Sequence, residues 1–210
     1  MTTVPLVIGT IAIGYLLGSI PTANIVMRLS RKQDLRKVGT GNVTSTAVMI
    51  HGGRLFGSLS LLGEVLKAFL CLFIAYLLVG ELWAYLLMLV AASVGQIWSI
   101  WLGGAGGRGQ TIFVTGFLVL CPVPFLLAVL LSVLVFFTTK RFYLSNQILH
   151  LIIPLVLLLA TLFNPTIFGP GELSCGYAIT SAVLCSFFFI KNQPNTDDII
   201  QTQVWGTYSR

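Results

Sequence analysis

Apolar stretches close to twenty residues long recur along this chain, and no other feature constrains its fold as much. Of its 210 residues, 56% are hydrophobic and only 9% are charged, with a mean hydropathy of +0.95. Soluble domains carry roughly 25% charged residues. A chain this poor in charge cannot cover a water-facing surface, so it is expected to be an all-α integral membrane protein. The start, Met1-Thr2-Thr3-Val4, lacks the basic n-region of a signal peptide, and the first apolar segment is expected to be a retained helix.

Apolar segments run from about Val4 to Met27, Leu55 to Val79, Leu82 to Leu102, Gln147 to Phe163 and Leu173 to Ile190. The stretch Thr111–Phe137 is also apolar but is interrupted by Cys121-Pro122-Val123-Pro124. Proline inside a helix removes a hydrogen bond and clashes with the preceding turn, so this stretch is one kinked helix or two shorter ones. Charge placement arbitrates. With two helices the chain has seven segments. The basic loop 28–54, Arg108, Lys140-Arg141 and Lys191 then fall on one side, and Glu81 and Glu172 on the other. Basic residues favour the cytoplasm. The expected fold is a seven-helix transmembrane bundle with short, tilted fourth and fifth helices and glycine-rich cytoplasmic loops. Its N-terminus is outside and its C-terminus inside. Residues 1–190 are expected to form one membrane domain, and 191–210 a polar cytoplasmic tail.

Five glycines and one arginine fall within Gly103-Gly104-Ala105-Gly106-Gly107-Arg108-Gly109, between two apolar segments. Glycine-rich turns can aim successive N–H groups at one point and so hold an anion, and a following helix adds its N-terminus. Arg108 supplies a planar fork that matches phosphate oxygens. The stretch is a phosphate cradle or a flexible helix connector. A second turn, Gly39-Thr40-Gly41-Asn42, follows Arg36-Lys37 on the same expected face. Two such turns together are suited to hold one or two phosphates beside the acyl-chain region.

Glu64 and Lys67 stand three apart within an apolar segment and so share a helix face. Charges this deep are costly unless paired or facing a polar cavity. They form a structural ion pair, or Lys67 reaches a phosphate site. His51 is expected to be solvated and His150 to be a satisfied core residue. Trp98 and Trp101 fit an interfacial aromatic belt. Asp197 and Asp198 are expected to be solvated. The cysteines Cys71, Cys121, Cys175 and Cys185 show no metal-ligand spacing. Cys175 and Cys185 would lie about 15 Å apart on one helix, too far to bridge. All four are expected to be buried free thiols. No metal or cofactor is expected.

The ordered set Tyr15-Leu16-Leu17-Gly18-Ser19-Ile20-Pro21, Asp34-Leu35-Arg36, Gly39-Thr40-Gly41-Asn42, Gly53, Gly57, Glu64-x-x-Lys67 and Gly103-x-x-Gly106-Gly107-Arg108-Gly109 resembles the acyl-phosphate:glycerol-3-phosphate acyltransferases of the PlsY type. The resemblance covers nearly the whole chain. It implies a seven-helix bacterial inner-membrane enzyme that moves an acyl group from acyl phosphate to glycerol 3-phosphate, giving lysophosphatidic acid and phosphate. The family's Gly-Ser-Gly-Asn is Gly39-Thr40-Gly41-Asn42 here, which keeps the hydroxyl, and its Gly-Ala-Thr-Asn is Thr44-Ser45-Thr46-Ala47. Its intramembrane Asp is Glu64, and its Gly-His is Gly95-Gln96. Its Phe-Lys-Gly-Gly-Lys-Gly is Gly104-Ala105-Gly106-Gly107-Arg108-Gly109. Its terminal His-x-x-Asn is Asn192-Gln193-Pro194-Asn195.

The resemblance thus implies phospholipid biosynthesis, with glycerol 3-phosphate and acyl phosphate as substrates and membrane lipid as surroundings. Thr40, Asn42, Arg108 and Asn195 are the expected catalytic residues. Arg36, Gly39, Gly41, Lys67, Gly103, Gly106, Gly107 and Gly109 are the expected phosphate-binding residues. Acyl phosphate is already activated, so positioning and charge stabilisation suffice, and no nucleophile elbow is present. The alternatives are a catalytically impaired relative that binds a phosphorylated lipid or assists a partner enzyme, and a small-anion transporter. Against the transporter, no internal repeat relates the two halves. Nothing in the chain suggests nucleic-acid binding.

Overall fold

A proline one residue past a good helix pattern divides the first apolar segment. The computed structural model describes residues 3–139, 142–163 and 174–191. In it α1 (Thr3–Ser19) stops before Ile20-Pro21, and α2 (Thr22–Arg31) starts after it. Pro21 offers no N–H, and it pushes the residue before it out of helical geometry. The single segment expected from Val4 to Met27 is therefore two helices. The loop 28–54 also holds more structure than expected. It contains a 3₁₀ turn at Leu35–Lys37 and a helix, α3 (Ser45–Gly52), whose N-cap Thr44 accepts from Ala47 N at 3.1 Å. Arg31 donates from Nε and Nη2 to the Gly52 carbonyl at 3.1 and 2.8 Å, so a cation closes the C-terminal end of α3.

The remaining helices are α4 (Arg54–Leu78), α5 (Leu82–Ile97), α6 (Gln110–Leu120), α7 (Pro122–Thr139), α8 (Phe142–Phe163) and α9 (Ser174–Lys191), with a second 3₁₀ turn at Ile100–Leu102. Among the described residues, five helical stretches are long and apolar enough to cross a membrane, and two shorter apolar ones accompany them. The Cys121-Pro122 break yields two helices. Phe113 on α6 and Phe125 on α7 meet edge to face with ring centroids 5.9 Å apart. In an unbroken helix they would stand about 18 Å apart along the axis, so α7 folds back on α6. With 11 residues α6 is short, as expected. At 18 residues α7 is not, because Pro122 and Pro124 both sit in its first turn, where proline removes no needed hydrogen bond.

The tightest contact is α1 against α5. A Cβ on Gly18 would run into the Ala92 carbonyl oxygen, and one on Gly95 into the Tyr15 carbonyl oxygen. Gly14, one turn before Gly18, approaches the Met88 carbonyl in the same way. Small residues let membrane helices meet backbone to backbone. Gly18→Val should therefore destabilise by about 3 kcal/mol or more, at or beyond the upper end for overpacking, because backbone cannot rotate away. Gly9→Val, with nothing within 4 Å of its added Cβ, should be near neutral. Thermal unfolding in detergent compares them, and equal loss from both would contradict this packing.

The main core surrounds α5, with Met88, Leu89, Ile112, Phe113, Phe117 and Phe188 among its fully buried side chains. Leu62, Leu66, Phe73, Leu130, Leu134 and Phe163 point outward. Such faces suit lipid, because the helices satisfy their own backbone. Trp98 and Trp101 are 41% and 63% exposed at one end of α5, as a belt requires. A second, small core of Ala23, Met27, Leu35, Val43, Ala47, Val48 and Leu102 lies at that same end. It anchors both glycine turns, since Leu35 and Val43 flank one and Leu102 precedes the other. Cys71, Cys121 and Cys185 are buried free thiols, while Cys175 is exposed, against expectation.

Candidate functional site

The two glycine turns meet. Val43 N donates to the Gly106 carbonyl at 3.2 Å, and Gly107 N donates to the Gln96 carbonyl at 2.9 Å. A Cβ on Gly107 would sit 2.6 Å from the Val43 carbonyl oxygen, and one on Gly106 would strike the Gln96 carbonyl. These two glycines serve close approach. Gly39, Gly41, Gly103, Gly104 and Gly109 instead have positive φ, from 57° to 86°, and make the turns themselves.

The last part of the second turn reaches a polar cavity. That cavity, of about 100 Å³, is walled by Thr44, Ser45 and Thr46 at the start of α3 and by Arg108, Gly109, Gln110 and Thr111 at the start of α6. Gln96 and Leu61 complete it. Two helix N-termini thus converge with one guanidinium and a set of hydroxyls. First-turn N–H groups lack acceptors within their own helix and favour anions. The arrangement suits a phosphate-sized group. Of the seven residues expected to form a cradle, Arg108 and Gly109 line this cavity, while Gly103 and Gly104 are exposed and Gly106 and Gly107 are packed against backbone.

Arg36 precedes the first turn and is not part of the cavity wall. It donates from Nη2 to Asp34 Oδ2 at 2.6 Å and from Nη1 to the Leu102 carbonyl at 3.3 Å, so it ties one turn to the other. Arg28 meets the same carboxylate at 2.6 Å. The Arg36 guanidinium, helped by Arg28, holds the Asp34 carboxyl well below the usual carboxylate range. The sign follows: this anchoring is complete above an unfolded value of about 3.9 and fades only as pH falls from there toward the lower folded value.

Glu64 and Lys67 are 2% and 6% exposed and lie 3.0 Å apart at the α1–α2 break. Lys67 Nζ donates to the Gly18 carbonyl at 3.2 Å and the Ile20 carbonyl at 2.9 Å. Ser99 Oγ donates to the Ser19 carbonyl at 2.5 Å. The Thr22 hydroxyl donates to Glu64 Oε1. The cation thus meets the negative end of α1, and the carboxylate the positive end of α2. Lys67 thus donates to two backbone carbonyls and stands in ion-pair contact with Glu64 Oε2. Of the two roles expected of Lys67, the geometry shows the ion pair.

Thr40 and Asn42 sit half-buried in the first turn, outside the cavity wall. Asn195, Asp197 and Asp198 lie outside the described residues, as does the tail beyond Lys191. His51, expected to be solvated, is half-buried at the end of α3. His150 is 4% exposed, as expected of a core residue, and its Nε2 lies 2.8 Å from Gln110 Nε2, but it is not fully satisfied, since Nδ1 has no hydrogen-bond partner. Sequence reasoning passed over Thr44, Ser45, Thr46, Gln96, Gln110 and Thr111 as site residues. A signal existed for two groups: Thr44 is an N-cap three residues before Ala47, and Gln110-Thr111 open a helix directly after glycine.

A multi-pass helical membrane protein with an anion-sized cavity at one end of its bundle is the class these features define. The family model described as glycerol-3-phosphate acyltransferase matches residues 8–202. The chain belongs to that family. It is 37% identical over 184 residues to the glycerol-3-phosphate acyltransferase of Nitrobacter winogradskyi, covering 88% of this chain and 87% of that one. It is 30% identical over 209 residues to that of Rhizobium meliloti, covering 98% and 93%. Its fold matches a crystal structure of PlsY (YgiH), an integral membrane glycerol 3-phosphate acyltransferase, in the glycerol 3-phosphate form. The TM-score is 0.73 at 23% identity, over 97% of this chain and 94% of that one.

Proposed function

We propose that this chain transfers an acyl group from acyl phosphate to glycerol 3-phosphate at the cytoplasmic face of a cell (inner) membrane. The observation that carries this is the polar cavity, where Arg108 and two helix N-termini converge on a space of about 100 Å³, in a member of this family. One phosphate binds there. The acceptor hydroxyl oxygen attacks the acyl carbonyl carbon, the bond from that carbon to the phosphate oxygen breaks, and the hydroxyl proton passes to the departing phosphate. Arg108 stabilises the charge that shifts onto that phosphate. Thr40, Asn42 and Arg36, on the adjoining turn, hold the second substrate, with Asn195 adding a polar contact from the tail. Gly39, Gly41, Gly103, Gly106, Gly107 and Gly109 shape the two turns.

Purified protein given both substrates should form lysophosphatidate and phosphate in equal amounts. No lysophosphatidate, with glycerol 3-phosphate still bound, would mark a non-catalytic relative instead. The orientation has the N-terminus outside, both glycine turns inside and residues 1–190 as one membrane domain. It rests on the charge asymmetry. Cysteines placed at Lys37 and Gly104 should escape an impermeant thiol reagent in intact cells and react in inverted vesicles. Labelling from outside overturns the orientation.

A further inference from the structure

Beside the polar cavity an open apolar groove of about 460 Å³ runs between α8 and α9. Its walls include Leu151 and Pro154 on one side and Ala182, Phe189 and Ile190 on the other. One of its residues, His150, is polar and almost wholly buried. The 2.8 Å contact to Gln110 links groove and cavity, because Gln110 lines the cavity and His150 lines the groove. The amide nitrogen of Gln110 can only donate. Nε2 therefore accepts, and Nδ1 carries the ring hydrogen. That Nδ1 is buried and has no hydrogen-bond partner. Unmade hydrogen bonds of buried groups are costly and call for an explanation. Pro154 adds to the polarity of this spot. It lies four residues after His150 inside α8 and lacks the N–H that would bond the His150 carbonyl. A polar notch in an apolar groove, one hydrogen bond from an anion-sized cavity, is the pattern of a site for a lipid with a polar head.

We infer that His150 positions the acyl donor: the acyl chain lies in the groove between α8 and α9, and Nδ1–H of His150 donates to an oxygen of the acyl-phosphate head as it enters the cavity. This rests on the proposed acyl-phosphate reading. Gln110 acts through His150 by fixing which ring nitrogen carries the hydrogen.

The test compares His150→Phe, which keeps a ring but no donor, with His150→Asn, whose amide nitrogen can occupy the Nδ1 position. His150→Phe should raise the KM for acyl phosphate about tenfold, the scale of one hydrogen bond to a charged group. The KM for glycerol 3-phosphate should stay unchanged, and His150→Asn should recover most of the loss. Binding of dodecyl phosphonate to the same proteins in detergent should follow the same order. Ala182→Trp, which fills the groove, should shift the preference toward shorter acyl chains. Unchanged donor KM in His150→Phe with an active wild type overturns the inference and leaves the proposed function standing. So does a His150→Asn protein no better than His150→Phe. If wild type shows no turnover but binds dodecyl phosphonate more tightly than His150→Phe, the proposed function falls and the lipid-head site stands.

Discussion

Lys67→Met is expected to destabilise the folded protein by about 3–5 kcal/mol, the range for removing one partner of a buried ion pair. The loss has three parts. Glu64 keeps its carboxylate in a site only 2% exposed. The Gly18 and Ile20 carbonyls, which end α1 inside the protein, lose the donor that satisfied them. The negative end of α1 loses its facing cation. Lys67→Met with Glu64→Gln should be less damaging than the sum of the two single changes, because the double variant strands no charge. Unfolding of purified protein in detergent measures all four states. A double variant as unstable as the sum would show that the residues act independently and that the helix break is held by other groups.

Arg108→Ala is expected to weaken the phosphate-bearing substrate by about 1.5–3 kcal/mol, the range for hydrogen bonds to charged groups. That is roughly tenfold to a hundredfold in apparent affinity. Arg108→Lys should recover part of it, since lysine keeps the charge and loses the fork. Gly107→Val should do comparable harm for a different reason. Its added Cβ would press on the Val43 carbonyl 2.6 Å away, so the first glycine turn must shift and carry Thr44 and Ser45 away from the cavity. Gly103→Ala should cost only the roughly 1–2 kcal/mol of a left-handed alanine, because φ there is 65° but the residue is exposed and nothing lies within 4 Å of its added Cβ. Acyl-phosphate binding, glycerol 3-phosphate binding and turnover, at matched expression and folding, give the ranking. Wild-type values from both Arg108→Ala and Gly107→Val would reduce this stretch to a helix connector.

The glycine turns show how far a residue pattern reaches. That they belong together was legible, because both carry glycine and cations, and the structure joins them through Val43 N and the Gly106 carbonyl. Their separate duties were not. Gly109 and Gly107 read alike in the sequence, yet one has φ of 75° and opens a helix, while the other has no room for a side chain beside Val43. The difference lies in what packs against each backbone. Gln110 and His150 stand forty residues apart on helices that meet only after α7 folds back and α8 returns. No spacing rule links them, so the join between cavity and groove was invisible.

The sequence by itself determined the solvent and the element type. Too few charges to face water and apolar runs of bilayer length leave membrane helices as the answer, and Pro122 requires a break wherever the chain folds. It also determined the family, through an ordered set of residues that no single motif supplies. Tertiary structure alone decided what the buried charges do. That Lys67 joins an ion pair to the end of a helix turned on where α1 ended, and α1 ended at Ser19, just before Pro21, with the Gly18 and Ile20 carbonyls turned to the Lys67 ammonium. Glu64 meets the same ammonium from α4. The partners of a buried charge arrive from distant parts of the chain, so only the packed bundle could supply them.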